Sequence, residues 1–155
     1  MSVRDQMTPA QWQVLRAAPW AAGAYVATAV GGKVQEVREL LALAREMRAG
    51  LSRDHEQDLV GAVAAAVLGE APSETDLALR PGDRSAMLAA VAAAGAAAGS
   101  VVGGAAYRRW VIELAREVAA AEVDGGFLGI GAEAMHTAEQ IALAELTEAL
   151  GLLDA

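Results

Sequence analysis

Few residues of this sequence have the types and the spacing that chemistry requires. The densest polar group is the run from Asp54 to Asp58, Asp-His-Glu-Gln-Asp, whose carboxylates and imidazole are possible metal ligands. Adjacent residues of a helix point in different directions, which argues against convergence on one ion. Asp54 with Gln57 three residues later also fits the start of a helix, where a carboxylate caps free N–H groups. A metal site and a helix cap both remain open here, and the spacing favours the cap.

Catalytic groups are scarce in the rest of the chain. Its 155 residues include two histidines and no cysteine, so thiol chemistry and disulfides are excluded. No base stands at a recognisable spacing from Ser52, Ser85 or Ser100. The glycines from Gly125 to Gly131 follow no strand pattern and lack the Gly-Lys-Ser/Thr ending of a phosphate loop. We therefore predict a non-enzymatic protein without a bound cofactor.

Apolar and aromatic residues are the better candidates for binding. Phe127, Leu128 and Ile130 are separated by glycines, and they either plug the end of the core or form an exposed tip that docks a partner. Trp20 and Trp110 are expected to fill the core or an interface, with a wall for stacking a ligand as the alternative. Basic charge at the start of a helix is unfavourable, so the pair Arg108-Arg109 suggests an acidic partner or a neighbouring subunit. His136 precedes a predicted helix start and is expected to be exposed.

An internal repeat predicts how these residues are positioned. The segment 9–32 aligns without gaps on 81–104, with matching prolines, Gly23 against Gly95, and a Gly-Gly doublet at each end. We predict one all-α domain of two tandem, pseudo-symmetric units of about four helices each. The first unit spans about 8–69, a connector spans 70–83, and the second spans about 84–152 with an inserted Gly-rich loop at 123–136. That insertion breaks the symmetry, which makes it the best candidate for a specific function.

Helical periodicity and end signals place the individual helices. Thr8 and Gln11 form a capping-box pattern, as do Thr137 and Gln140. Pro19 is expected to open a second helix after the first has ended. No segment alternates with the period of a strand. The predicted helices run from about Thr8 to Ala18, Pro19 to Gly31, Val34 to Met47, Asp54 to Leu68, Arg84 to Val102, Tyr107 to Glu122 and Thr137 to Leu150.

Charge limits the classes of partner. The formal net charge of −8 argues against nucleic acid and against an anionic membrane surface. The start of the chain has no apolar signal region, so we predict a cytoplasmic protein. The uncharged run 85–107 is long enough to span a bilayer, but its counterpart in the first unit contains Arg16, Pro19 and Lys33. We therefore predict a buried helix of a water-soluble protein there, with membrane association as an alternative.

The run from Ala21 to Val34, followed by a helix with acidic residues, resembles the tellurite-resistance TerB-like and DjlA N-terminal helical domains. The tail is similar in its Asp124-Gly125 pair and in the segment from Ala138 to Gly151. The resemblance implies divalent-cation binding with Asp124 and Glu139 as the oxygen ligands, although Gly31-Gly32 replaces the family's first Asp-Gly. It also implies an accessory or stress-associated role.

The sequence therefore predicts a helical interaction or scaffold module that self-associates as a homo-oligomer or binds another protein. A divalent-metal-binding accessory domain is the first alternative, and a membrane-associated protein using the 85–107 helix is the second. An exchange of units between chains through the connector is also compatible with the repeat.

Overall fold

The computed structural model describes residues 2–29, 58–69, 83–125 and 132–152, with side chains for 2–29, 58–67, 83–119 and 137–152. The elements in these ranges are a short 3-10 helix, Arg4–Gln6, and five α-helices: α1 Pro9–Ala29, α2 Leu59–Gly69, α3 Arg84–Ala98, α4 Gly104–Gly125 and α5 Ala132–Ala149. No strand occurs within these ranges, and the all-α prediction is confirmed. The aligned segments of the repeat contain α1 and α3, which pack against each other, while the symmetry of the two units stays a prediction.

Helix α1 lies at the centre of the fold. Every residue from Leu15 to Ala27 except Trp20 is buried, and the other four helices all pack on α1. Apart from the charged Arg16, which is 8% exposed, these residues are apolar on every side of the helix, and such a helix is stable only when neighbours cover it all round. The alanines of α1 let those neighbours approach closely, and a few large side chains fill the space between helices. The largest fully buried ones include Leu15, Leu59, Met87, Tyr107, Leu114, Leu146 and Leu150.

Hydrogen bonds between helices define their directions. Arg84, the first residue of α3, donates to the carbonyl of Tyr25 near the end of α1. Near the other end of α3, the carbonyl of Gly95 accepts from Arg108, and the adjacent Tyr107 donates to the carbonyl of Leu15 in the first half of α1. Helix α3 therefore runs antiparallel to α1, and α4 begins beside the end of α3.

The predicted break at Pro19 is wrong, because α1 continues from Pro9 to Ala29 with the proline in its interior. A proline at position 19 has no N–H to donate to the carbonyl four residues earlier, which is that of Leu15. The hydroxyl of Tyr107 donates to this carbonyl instead. Tertiary structure thus supplies the bond that the proline removes, and the helix does not need to end.

The predicted helix from Arg84 to Val102 is shorter than expected. It ends at Ala98, and the turn to α4 contains Gly103 in a left-handed conformation with φ of 84°. The next glycine, Gly104, is packed so closely that a Cβ there would collide with the carbonyl group of Ala98. The uncharged run is therefore divided between α3 and the first turn of α4. Among the described residues, no helix is long and apolar enough to cross a membrane.

Other helix ends differ from the predictions. The capping box at Thr8 is confirmed, since Thr8 and Gln11 exchange hydrogen bonds of 2.9 and 3.1 Å. The box at Thr137 is wrong, because α5 begins at Ala132 and places both Thr137 and the preceding His136 inside the helix.

The helix predicted from Asp54 begins later, at Leu59. The carboxylate of Asp58 accepts from the N–H of Val60 (3.2 Å) and caps this first turn. Helix α4 continues to Gly125, so only residues 126–131 separate it from α5. The predicted helix at 34–47 and the connector up to Gly82 lie outside the described residues.

Candidate functional site

The outward side of α3 is an exposed surface without charge. Its residues recur at the spacing of one helix face and are all small; Ser85, Ala89, Ala92, Ala93, Ala96 and Ser100 are exposed, and together they are called the α3 face below. Val102, in the turn that follows, is 82% exposed. The sequence carries no charged residue between Arg84 and Arg108, so nothing within this stretch gives the face a charge.

The inward side of α3 packs closely against the rest of the fold and so fixes the position of the α3 face. Met87, Val91, Ala94, Gly95 and Ala98 are buried. A Cβ on Gly95 would lie 2.8 Å from the carbonyl oxygen of Ala149 and 2.9 Å from the Cα of Leu150. Only glycine therefore allows the backbone of α3 to lie this close to the end of α5. We predicted a buried helix here, but α3 is buried on one side only.

A polar cluster of four side chains joins α1, α3 and α5 at the beginning of α3. The hydroxyl of Tyr25 donates to the carboxylate of Glu145, and the Arg84 guanidinium stacks on the Tyr25 ring at 4.0 Å from its centroid. Arg84 Nη1 donates to the Tyr25 carbonyl (2.8 Å) and to Thr28 Oγ1 (3.1 Å). A cation near the last turn of α1 is also favoured by the helix dipole.

The cluster resembles a reactive site in its residue types, but its groups satisfy one another. Burial raises the pKa of the Tyr25 hydroxyl, and the hydrogen bond to Glu145 raises it further. Tyr25 is therefore a neutral hydrogen-bond donor at neutral pH, and it is not a general base. The Arg84 guanidinium already donates its hydrogen bonds to the end of α1. The cluster can therefore hold α1, α3 and α5 in fixed positions relative to one another.

Arg108 performs a comparable role at the end of α3. Its Nε and Nη2 both donate to the carbonyl oxygen of Gly95, at 3.0 and 2.5 Å. The last turn of α3 is where the helix dipole attracts a cation. Because α4 begins at Gly104, Arg108 follows its first turn, and the position of Arg108 is explained by the preceding helix. The acidic partner suggested by the pair is not needed for Arg108, whereas Arg109 is exposed.

The tryptophans proposed as contact residues lie in or beside the core. Trp110 is 4% exposed and its ring lies 6.1 Å from that of Tyr107, centroid to centroid. Trp20 is half-buried and packs against the core. Trp110 is therefore not exposed to a partner, and the Trp20 side chain is exposed only in part. The proposed apolar tip, Phe127, Leu128 and Ile130, lies outside the described residues.

The proposed metal ligands are placed on two different helices. Glu139 lies on α5 and is 3% exposed, while Asp124 belongs to the last turn of α4 with its side chain outside the described set. Among the described side chains, no three His, Cys, Asp or Glu residues come together in a group that could hold a metal ion. Cation binding by Asp124 and Glu139 stays a prediction. The Asp54–Gln57 part of the acidic run lies outside the described residues.

The α3 face was not identified from the sequence, although a signal for it exists. Met87 and Val91, the two large buried residues, are four positions apart and mark the inward side of the helix. This spacing indicates the general direction of the outward side, but it does not by itself identify which alanines are exposed.

Comparison of the chain with protein-family models, with curated proteins and with solved structures gives no match.

Proposed function

We propose that this protein is a non-enzymatic helical interaction module that self-associates through the α3 face, in an accessory or stress-associated role. The observation that carries the proposal is the exposed, charge-free face of α3 in a chain with a formal net charge of −8. Two copies of an acidic protein repel each other where charged surfaces meet. A face without charge is where a second copy can approach at the lowest electrostatic cost.

Small side chains support the same proposal through geometry. Alanine and serine let two helix backbones come close together, so that many weak van der Waals contacts form along the shared length. Val102, 82% exposed at the end of the face, adds a larger apolar group for a neighbour to cover. The half-buried Leu88 and Val101 flank the face.

The size of the face limits the strength of the association. The 15 residues of α3 give a helix about 22 Å long, and a strip about 10 Å wide along it covers about 220 Å². Stable interfaces bury about 800 Å² on each partner. The α3 face supplies about a quarter of that area, so we expect a weak dimer, with a Kd between about 10 μM and about 1 mM unless other surfaces join.

The use of the polar side chains supports a binding role over catalysis. Tyr25, Arg84, Tyr107 and Arg108 all hold helices together through carbonyl, hydroxyl or carboxylate partners. A group engaged in this way is not available to a substrate without loss of structure.

The test is sedimentation equilibrium of the purified protein from about 5 to about 500 μM, a range chosen to bracket the weak Kd expected for an interface of this size. The variant Ala93→Glu adds a carboxylate to the centre of the α3 face, and we expect it to weaken association at least about tenfold because like charges meet across the interface. The matched control is Ala65→Glu, which makes the same change at an exposed alanine of α2 and should leave association unchanged.

Three other results would redirect the proposal. A wild-type protein that stays monomeric at the highest concentration would rule out self-association. Equal weakening by both variants would show that added charge acts through general repulsion, so that the α3 face has no special role. Association that survives Ala93→Glu but is lost in Phe127→Asp would move the interface to the predicted apolar tip.

A further inference from the structure

We propose that α1 contains a hinge at Pro19 and that the hydroxyl of Tyr107 locks it. The inference goes beyond self-association, because it concerns how the central helix changes shape. In a regular helix, residue 19 would donate its N–H to the carbonyl of Leu15. Proline has no N–H, and its ring also crowds that carbonyl. The α1 backbone is therefore weakest where Leu15 faces Pro19.

The lock is a single hydrogen bond from another helix. Tyr107 belongs to the first turns of α4, its side chain is completely buried, and its hydroxyl donates to the Leu15 carbonyl. Burial raises the pKa of this hydroxyl well above its ordinary value, so it keeps its proton and remains a donor. An unpaired carbonyl in the core would otherwise be costly.

The two halves of α1 make different contacts. The first half begins at the Thr8–Gln11 capping box and is held in the core by the buried side chains of Trp12 and Leu15. The second half is attached through Tyr25 to Glu145 of α5 and to Arg84 of α3. Between these two sets of contacts, Tyr107 is the side chain that bonds to the main chain at the proline. Opening at Pro19 would let the second half of α1 tilt together with the contacts that it makes to α3 and α5.

Hydrogen exchange of backbone amides, followed by NMR, tests the lock. The variant Tyr107→Phe keeps the ring and removes only the hydroxyl. We expect it to speed the exchange of the amides from Trp20 to Gly23 about tenfold more than the exchange of amides in the middle of α3, because local opening is then the easier route. In the double variant Pro19→Ala/Tyr107→Phe, the alanine that replaces the proline supplies the missing N–H, and the selective increase should disappear.

Two outcomes would overturn the lock. The first is a Tyr107→Phe variant in which exchange rises equally in all helices, since the hydroxyl would then contribute only to global stability. The second is a selective increase that persists in the double variant. If Tyr107→Phe alone does not fold, the lock requires Pro19→Ala to restore a folded protein, and a double variant that is also unfolded would refute it.

Discussion

Arg108 and Arg109 are neighbours in sequence with opposite structural roles, and replacing each by glutamine should separate those roles. Arg108 donates twice to the Gly95 carbonyl at the end of α3, whereas Arg109 is exposed. A hydrogen bond from a charged donor contributes about 1.5–3 kcal/mol, and a cation at a helix C-terminus adds about 0.3–1 kcal/mol. Because Arg108 is half-buried and solvent screens its charge, we expect Arg108→Gln to cost about 1–2 kcal/mol of unfolding free energy.

The measurement is equilibrium unfolding in urea, followed by circular dichroism at 222 nm. We expect Arg108→Gln to lower the midpoint without changing the slope m, because the surface exposed on unfolding is nearly the same. Arg109→Gln is the matched control and should change the unfolding free energy by less than about 0.5 kcal/mol. Arg108→Lys keeps the charge but loses the paired N–H geometry, so it should fall between the two.

Equal effects of the two glutamine variants would refute this reasoning. A loss of stability in Arg109→Gln alone would show that the exposed arginine is engaged within the folded protein. If Arg108→Gln instead weakened the association of copies while leaving the unfolding free energy of the monomer unchanged, the pair would contact a neighbouring subunit, as its position in the sequence suggested.

Three further predictions follow from the packing, the titration and the acidic residues. Gly95→Ala should lower the free energy of unfolding in urea by about 1–2 kcal/mol. Overpacking against Ala149 costs about 1–3 kcal/mol, while alanine regains up to about 1 kcal/mol of helix propensity. An unchanged midpoint of unfolding would contradict the close contact. The contribution of Tyr25 and Tyr107 to stability should be constant below about pH 10 and fall above it by up to about 1.4 kcal/mol per pH unit for each of them, because the unfolded state then loses the phenol proton that both retain in the folded state. Tyr107→Phe should make that decline less steep, and an unaltered slope would contradict it. Isothermal calorimetry with calcium, magnesium and manganese should give no heat of binding, whereas a signal lost in Glu139→Gln would favour the metal-binding alternative.

The capping-box pattern predicted a helix start correctly at Thr8 and wrongly at Thr137, and the difference lies in whether the preceding residues can extend the helix. At Thr8 the preceding residues end in a short 3-10 helix, and the capping box forms as expected. At Thr137 the same residue pattern follows Ala132, Glu133, Ala134 and Met135, which are good helix formers. The helix therefore begins at Ala132, and the threonine becomes an ordinary residue of its interior.

The candidate site was only partly predictable, because alanine gives no amphipathic pattern. The uncharged run from Ser85 to Tyr107 is visible in the sequence, yet its alanines occur on every side of α3. Which of them face outward depends on where Met87, Val91 and Gly95 meet other helices. The end of α3 at Ala98 likewise depends on the backbone packing of Gly104, which the sequence does not reveal.

Pro19, Gly95 and Arg108 share the reason why their roles escaped prediction. Proline usually ends a helix, glycine weakens one, and arginine is unfavourable in a first turn, where the predicted helix start at Tyr107 put Arg108. Each rule considers a helix by itself. In the folded chain, the missing donor at Pro19 is replaced by Tyr107. The missing side chain at Gly95 lets α3 approach the end of α5, and the charge of Arg108 is attracted by the last turn of another helix. A residue whose type does not suit an isolated helix can therefore be explained by a contact from a different helix. Variants of Pro19, Gly95 and Arg108 test this inference separately, because each residue has a different partner.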